Sequence, residues 1–394
     1  MNSFNDGIPQ GYAFDDVLLV PNRTRATSRT IVDLSTRLTP RIALAIPIVS
    51  ANTPWCTESR LAVALAAEGG IGIIHRMTTS HTQAEEVRRT KAAVVDPAIS
   101  PRATRDAQGR LRVGAAVGVK SDTLARAAML IEAGADVLVV DVAHGHADYV
   151  IDTVQALKSA HPHVDLIAGN VATAEGVRDL VEAGASAVKV GIGPGSVCST
   201  RIVTGAGVPQ LSAILECARE AKLRGVSVIA DGGIRTSGDI VKALAAGAAS
   251  VMLGKLLAGT EESAAIPIER DGRRYKITNG FVSLGVGLTL KRLEGGEVSE
   301  EEFKNYVPEG VEATFDYAGL LSDVLRQHLG GVRSGLSYGG SLTIAELQQK
   351  ARFIRVTASG NYEGRPHVQD HTPAHHPNYA AMFVAPANRL ERSS

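Results

Sequence analysis

Cys198 stands where a thiol could do covalent chemistry. It sits in the stretch GIGPGSVCSTR (Gly191–Arg201), which opens with three glycines in five residues. Such a loop lets backbone N–H and C=O groups approach a ligand closely. A thiol there is a candidate nucleophile toward an electrophilic carbon. The other two cysteines read as packing: Cys217 falls in the helical stretch LSAILECAREAK, and Cys56 has no comparable loop. Further on, ADGGI (Ala230–Ile234) and LGK (Leu253–Lys255) place glycines beside charge. Amides of Gly232, Gly233 and Gly254 could hold phosphate oxygens, with Lys255 adding charge and Asp231 accepting from ribose hydroxyls. An internal Lys255–Asp231 ion pair is the alternative. Asp141, in DVAHGH (Asp141–His146), and Asn170, after Gly169, are polar groups suited to a second ligand. No GxGxxG follows a strand and opens a helix, so Rossmann-type dinucleotide binding is not expected.

These residues follow a periodic frame. Eight short apolar runs alternate with helix-like stretches: Ile46–Ala51, Gly70–His75, Val113–Val117, Val137–Asp141, Leu166–Ala168, Ala187–Val190, Val228–Asp231 and Ser250–Leu253. Unbroken apolar runs suit parallel strands buried on both faces. The phrases EAGAD (Glu132–Asp136), EAGAS (Glu182–Ser186) and AAGAA (Ala245–Ala249) recur before strands, each offering a glycine for a left-handed helix end. Eight β/α units predict an α/β fold, a TIM (β/α)8 barrel with its site at the C-terminal strand ends. A doubly wound open sheet is the alternative. Segment 78–111 reads as a polar linker outside the repeat, with VDPAISPRATRDAQGR as loop. Segment 264–317, with its charged run Glu294–Lys304, follows the eighth run and suits a flap or lid over the mouth, or else a solvated insertion.

Composition narrows the class. The chain has 394 residues with 41 basic and 41 acidic, and this balance argues against a nucleic-acid binder. No run of 18 apolar residues predicts a membrane span, and MNSFNDGIPQ carries no export signal, so a cytoplasmic protein is expected. Three cysteines are too few for a disulfide framework. One catalytic barrel domain is expected, with the barrel over about 45–360 and a polar tail over about 367–394. The tail's histidines at 367, 371, 375 and 376 match no compact metal site.

Several strings together resemble the IMP dehydrogenase/GMP reductase family. They are YAFDDVLLVP (Tyr12–Pro21), EGGIGIIHR (Glu68–Arg76), GRLRVGAAVG (Gly109–Gly118), AGNVATAEG (Ala168–Gly176), KVGIGPGSVCSTR (Lys189–Arg201), ADGGIR (Ala230–Arg235) and GGVRSG (Gly330–Gly335). The resemblance implies a homotetrameric TIM barrel acting on a purine nucleoside monophosphate with NADPH or NADH. It implies Cys198 as the nucleophile, Thr200 as its catalytic neighbour and Glu309 as the acidic residue that supports that threonine or contacts the base. Ser196, Asp231, Gly233 and Gly254 match nucleotide-binding positions, and Asp141, Asn170, Lys189 and Gly191 match the nicotinamide side. Carbonyls of Gly193, Gly195 and Cys198 match a potassium site, which in dehydrogenases a neighbouring subunit completes with a segment like Glu363–Arg365.

The departures from the family pattern bear on the reaction. The regulatory CBS modules that many dehydrogenases carry between the second and third strands are absent, leaving only the short linker. The dehydrogenase flap carries an Arg-Tyr pair that activates water, whereas this chain has KRLEGG (Lys291–Gly296) with no tyrosine. Hydrolysis then lacks its expected base, which favours a reductase. The substrate-contact segment reads TNGFV, with Thr278, Gly280 and Phe281, and the first-strand stretch reads SANTPWCTE, with Ser50, Asn52 and Trp55. Lys255 replaces a serine or glycine. Reductive deamination of GMP or a modified analogue such as a 7-deazaguanine nucleotide is the expected activity. IMP dehydrogenase and a non-catalytic nucleotide sensor are the alternatives.

Overall fold

The computed structural model describes residues 7–278, 311 and 313–364. Eight parallel strands form its centre: β1 Ile48–Ser50, β2 Gly72–Ile74, β3 Val113–Val117, β4 Val137–Asp141, β5 Asp165–Val171, β6 Ala187–Val190, β7 Ser227–Asp231 and β8 Ser250–Leu253. They pair in the order β1-β8-β7-β6-β5-β4-β3-β2, and a bridge from Val49 to Ile71 brings β1 beside the start of β2. The sheet is thereby nearly closed, a TIM barrel as the alternation predicts. The strands exclude water because both their faces are covered. Every residue of β1 to β6 and β8 is buried. Each Val, Ile or Leu so buried contributes about 1.5–3 kcal/mol relative to exposure.

Helices cover the outside: α1 Ser59–Ala67, α2 Ser80–Ala92, α3 Thr123–Glu132, α4 Asp148–Ala160, α5 Ala174–Glu182, α6 Gln210–Leu223, α7 Ser237–Ala245 and α8 Leu321–Tyr338. The three recurrent glycines do end helices in the left-handed region, with φ of 101° at Gly134 and 113° at both Gly184 and Gly247. A hairpin, Thr36–Thr39 with Ile42–Leu44, lies against the entry ends of β7 and β8. There Thr36 Oγ1 donates to the Ala249 carbonyl and Ser227 Oγ to that of Arg37.

One expectation needs correction. Segment 78–111 is not wholly a linker outside the repeat, since its first part is barrel helix α2. That helix is polar because it buries polar groups that find partners. Gln83 Nε2 donates to the Ala116 carbonyl at 2.7 Å, and Glu86 accepts the Ser59 amide at 2.8 Å. The loop expected at 95–110 does hold. The described ends of segment 264–317 are also ordered as an antiparallel sheet: β9 Ile266–Arg270, β10 Arg273–Thr278 and β11 Ala313–Asp316. Tyr317 fastens this sheet to the barrel, donating from Oη to Glu261 at 2.7 Å with the Arg274 guanidinium 4.0 Å from its ring centre.

Candidate active site

Side chains at the exit ends of the strands converge on one cavity of about 260 Å3. β6 runs into the glycine loop, and Gly191 is the residue that lets it turn there. Its φ is +146°, and a Cβ on it would come within 2.1 Å of the Asp231 carbonyl, so no other residue fits without moving β7. Beyond the turn, Gly193, Pro194, Gly195, Ser196, Val197, Cys198 and Thr200 all line the cavity.

Cys198 is exposed at this mouth, and its Sγ lies 3.1 Å from Thr200 Oγ1. The other two thiols are in a different state. Burial pushes Cys56 up to about 12, and burial with the nearby Glu216 and Glu175 charges does the same to Cys217. Both remain protonated and inert at neutral pH, whereas Cys198 has access to a ligand. Beside the loop, Arg201 donates from Nε to the Ile192 carbonyl at 3.0 Å and from Nη2 to that of Val208. Burial lowers its pKa.

The floor is a buried charge cluster. Lys189, on β6, is 3% exposed and pairs with Asp141 Oδ1 at 2.6 Å and Asp231 Oδ2 at 2.7 Å. It also donates to Asn170 Oδ1. Asn170 in turn donates to the Gly191 carbonyl at 2.7 Å and to the same Asp231 oxygen at 3.0 Å. Gln210 closes the underside by donating to the carbonyls of Val190 and Asp231. Burial by itself would depress the Lys189 pKa, but the two carboxylates overcome it and hold the ammonium charged well above the usual lysine value.

On the phosphate-type rim, Gly232 and Gly233 adopt φ of 91° and 77° and line the cavity with Gly254 and Lys255. The alternative of a Lys255–Asp231 pair does not hold: Asp231 pairs with Lys189 and Lys255 makes no ion pair with it. Lys255 lies over the Phe315 ring at 5.5 Å from its centre. Asn52 and Trp55 also line the cavity. Ser50 does not. It is fully buried, with its Oγ 2.7 Å from Thr57 Oγ1, so the sequence-based expectation of a substrate contact is corrected to an internal hydrogen bond. Thr278 ends β10, and Gly280, Phe281 and Glu309 lie outside the described residues, as does the 367–394 tail. Of the Asp141–His146 stretch, Asp141, Val142 and Ala143 face the cavity, while His146 Nε2 sits 2.8 Å from Asp179. Phe315 on β11 was missed by the sequence reading, although an aromatic in a chain with 4% aromatics was the available signal. Arg235 and Ile234 were missed as lining residues too.

A profile of the IMP dehydrogenase / GMP reductase domain matches residues 11–367, nearly the whole described chain. The chain belongs to the IMP dehydrogenase/GMP reductase family. An inosine-5'-monophosphate dehydrogenase of Nitrosopumilus maritimus is 40% identical, covering 91% of this chain and 98% of that protein. That alignment runs over 467 positions against 394 residues here, so the relative holds residues this chain lacks. A GMP reductase of Leishmania donovani is 39% identical over 91% of this chain and 97% of its own length. Among solved structures, a GMP reductase variant from Trypanosoma brucei in complex with guanosine 5'-monophosphate matches with TM-score 0.88 and 36% identity, covering 93% of this chain and all of that one. Family members are oxidoreductases of purine nucleoside monophosphates that use nicotinamide-type cofactors. Both named activities occur among these relatives.

The chain's residues fit such a cofactor and the potassium expected beside it. Asp141, whose Oδ2 accepts no hydrogen bond from described residues, lines the cavity and offers an acceptor to a dinucleotide. In the loop, the carbonyls of Gly193 and Cys198 accept no hydrogen bond from described residues, and that of Gly195 accepts only from the Cys198 amide at 3.2 Å. Carbonyl oxygens of this kind replace the hydration shell of a potassium ion. Among the described residues no cluster of His, Cys, Asp and Glu could hold a metal, and no helix is long and apolar enough to cross a membrane.

Proposed function

We propose that this protein catalyses the NAD(P)H-dependent reductive deamination of a guanine-type purine nucleoside monophosphate through a covalent adduct on Cys198. The observation that carries the reading is the exposed Cys198 thiol 3.1 Å from Thr200 Oγ1, at the mouth of a cavity whose rims suit a nucleotide and a second ligand.

In this reaction the Cys198 sulfur adds to the ring carbon bearing the exocyclic amino group. Thr200 receives the thiol proton and passes it toward the amino nitrogen, which leaves as ammonia. The reduced cofactor supplies hydride to the same carbon. Re-formation of the ring double bond expels the thiolate, which regains a proton, and the product is an inosine-type nucleotide. Glu309 is assigned to support Thr200, and Val311, two residues on, donates its amide to the Val197 carbonyl at 2.9 Å. Asp231 orients ribose hydroxyls, while Gly232, Gly233, Gly254, Ser196 and Lys255 hold the phosphate.

Reduction is favoured over oxidation and hydrolysis by KRLEGG at 291–296, which lacks the tyrosine expected of a water-activating flap. Trp55 and Phe315 line the cavity with aromatic surface on which a purine base can stack, so GMP and a modified guanine such as a 7-deazaguanine are both candidate substrates. The dehydrogenase reading rests on relatives of that name at 40% and 43% identity. GMP or its 7-deaza analogue is supplied with NADPH and then NADH, and IMP with NAD, while reduced nicotinamide is followed by absorbance. Loss of absorbance with a guanine nucleotide is expected. Gain with IMP alone would establish the dehydrogenase, and nucleotide binding without either change would mark a sensor. We further assign the active form as a homotetramer, with potassium on the Gly193–Cys198 loop.

A further inference from the structure

Lys189 has three N–H donors, and three acceptors from three different strands take them: Asp141 at the end of β4, Asn170 on β5 and Asp231 at the end of β7. Asp141 lies on the cofactor rim and Asp231 on the nucleotide rim, yet both touch one buried nitrogen. Two carboxylates and one ammonium leave the cluster with one net negative charge. That charge is shared, because Oδ1 of Asp231 and Oδ2 of Asp141 accept no hydrogen bond from described residues. Both residues line the cavity. A hydroxyl donor at either oxygen therefore acts on a charge that Lys189 distributes between the two.

We propose that Lys189 is a positioning residue that couples the two ligand sites, so that the group binding the nucleotide and the group binding the nicotinamide cofactor are set by one ammonium. The proposal rests on the functional reading above for which ligand meets which carboxylate. The physical route is short. If one carboxylate loses its charge, the ammonium shifts toward the other, draws its charge inward and moves its free oxygen from the ligand. Coupling between the two ligands follows without any moving domain, because the element that both bias is this single hydrogen-bonded ammonium.

The test uses isosteric neutral variants, which preserve packing. Asp141→Asn and Asp231→Asn are purified with the unaltered protein, and thermal unfolding confirms that each is folded. Equilibrium titrations measure GMP and NADPH separately, each in the absence of the other. The expected result is a crossed effect. Asp141→Asn weakens GMP as well as NADPH, and Asp231→Asn weakens NADPH as well as GMP, each crossed loss being on the order of tenfold. Lys189→Arg, which keeps the charge with a different donor geometry, should retain both ligands but shift both dissociation constants together. If each asparagine variant weakens only its own ligand, the sites are independent and the proposal is overturned while the functional reading stands. If the unaltered protein binds neither ligand, the proposal falls together with the functional reading.

Discussion

Removing one sulfur atom separates chemistry from binding in the proposed reaction. Cys198→Ala should abolish turnover yet leave GMP binding measurable by titration, since the phosphate and ribose contacts come from other loops; undiminished turnover would remove the covalent route. Thr200→Ala keeps the nucleophile and removes its proton partner, so kcat should fall roughly a hundred- to ten-thousandfold in single-turnover and steady-state assays, with a smaller change in nucleotide affinity. Cys198 was legible because three glycines announced its loop. The setting of Lys189 was not. A lysine inside the apolar run AVKV signals a buried charge that needs a partner, but its partners lie on other strands, at positions 141, 170 and 231. The sequence offered Lys255 as a partner for Asp231 instead. Only the barrel's curvature shows that Lys189 is nearer.

Elements that position the site can be tested away from it. On the entry side of the barrel, α2 contributes Lys91, which bridges Asp106 at 2.8 Å and Asp136 at 2.9 Å, all three side chains being under 10% exposed. Burial alone would raise the Asp106 pKa, but the Lys91 hydrogen bond, the Arg110 backbone and side-chain contacts and the Lys91 charge hold it at about 2, against an ordinary value of 3.8. A carboxylate with a depressed folded-state pKa stabilises the fold above its unfolded value and loses that contribution as pH falls. About 2 kcal/mol should therefore disappear between roughly pH 4 and pH 2, read from denaturant midpoints across that range. Lys91→Met removes the ammonium that the two carboxylates share but leaves Arg110 on Asp106 and Arg112 on Asp136, so it should cost about 1–3 kcal/mol and weaken the pH dependence, with an unchanged pH dependence counting against the assignment. The polar face that these contacts require is also why α2 was read as linker. The strands were easier. The runs at 113–117, 137–141, 187–190 and 250–253 coincide with β3, β4, β6 and β8, because strands covered on both faces read as dense apolar runs whose ends stand out.

At the scale of the whole molecule, the surface beside the catalytic loop carries exposed apolar side chains. The short helix Thr200–Thr204 carries Ile202 at 89% exposure and Val203 at 42%, and Val311 is 52% exposed nearby in the fold. We predict that association of copies covers these groups. Light scattering should give four times the chain mass of 41.3 kDa. Ile202→Asp should lower that mass, and turnover with it if a neighbouring copy completes the loop; an unchanged mass would place the contact elsewhere. The barrel was legible as a whole from eight recurring units. The sheet β9–β11 was not, since its strands β10 and β11 are neighbours in space but far apart in the chain.

That last pairing has an evolutionary consequence. Thr278 at the end of β10 stands opposite Ala313 at the start of β11, so the residues numbered 279–312 begin and end side by side on a fixed support. The entropy of closing such a segment grows only with the logarithm of its length, about 0.6 kcal/mol for a doubling. A change in the length of that stretch therefore adds little to the closure cost. A lineage can thus vary the stretch that includes the lysine-arginine pair at 291–292 while the cysteine loop and the Lys189 cluster stay as they are. Divergence between reactions within this family then requires no change of scaffold, only a change in what is strung between two paired strands.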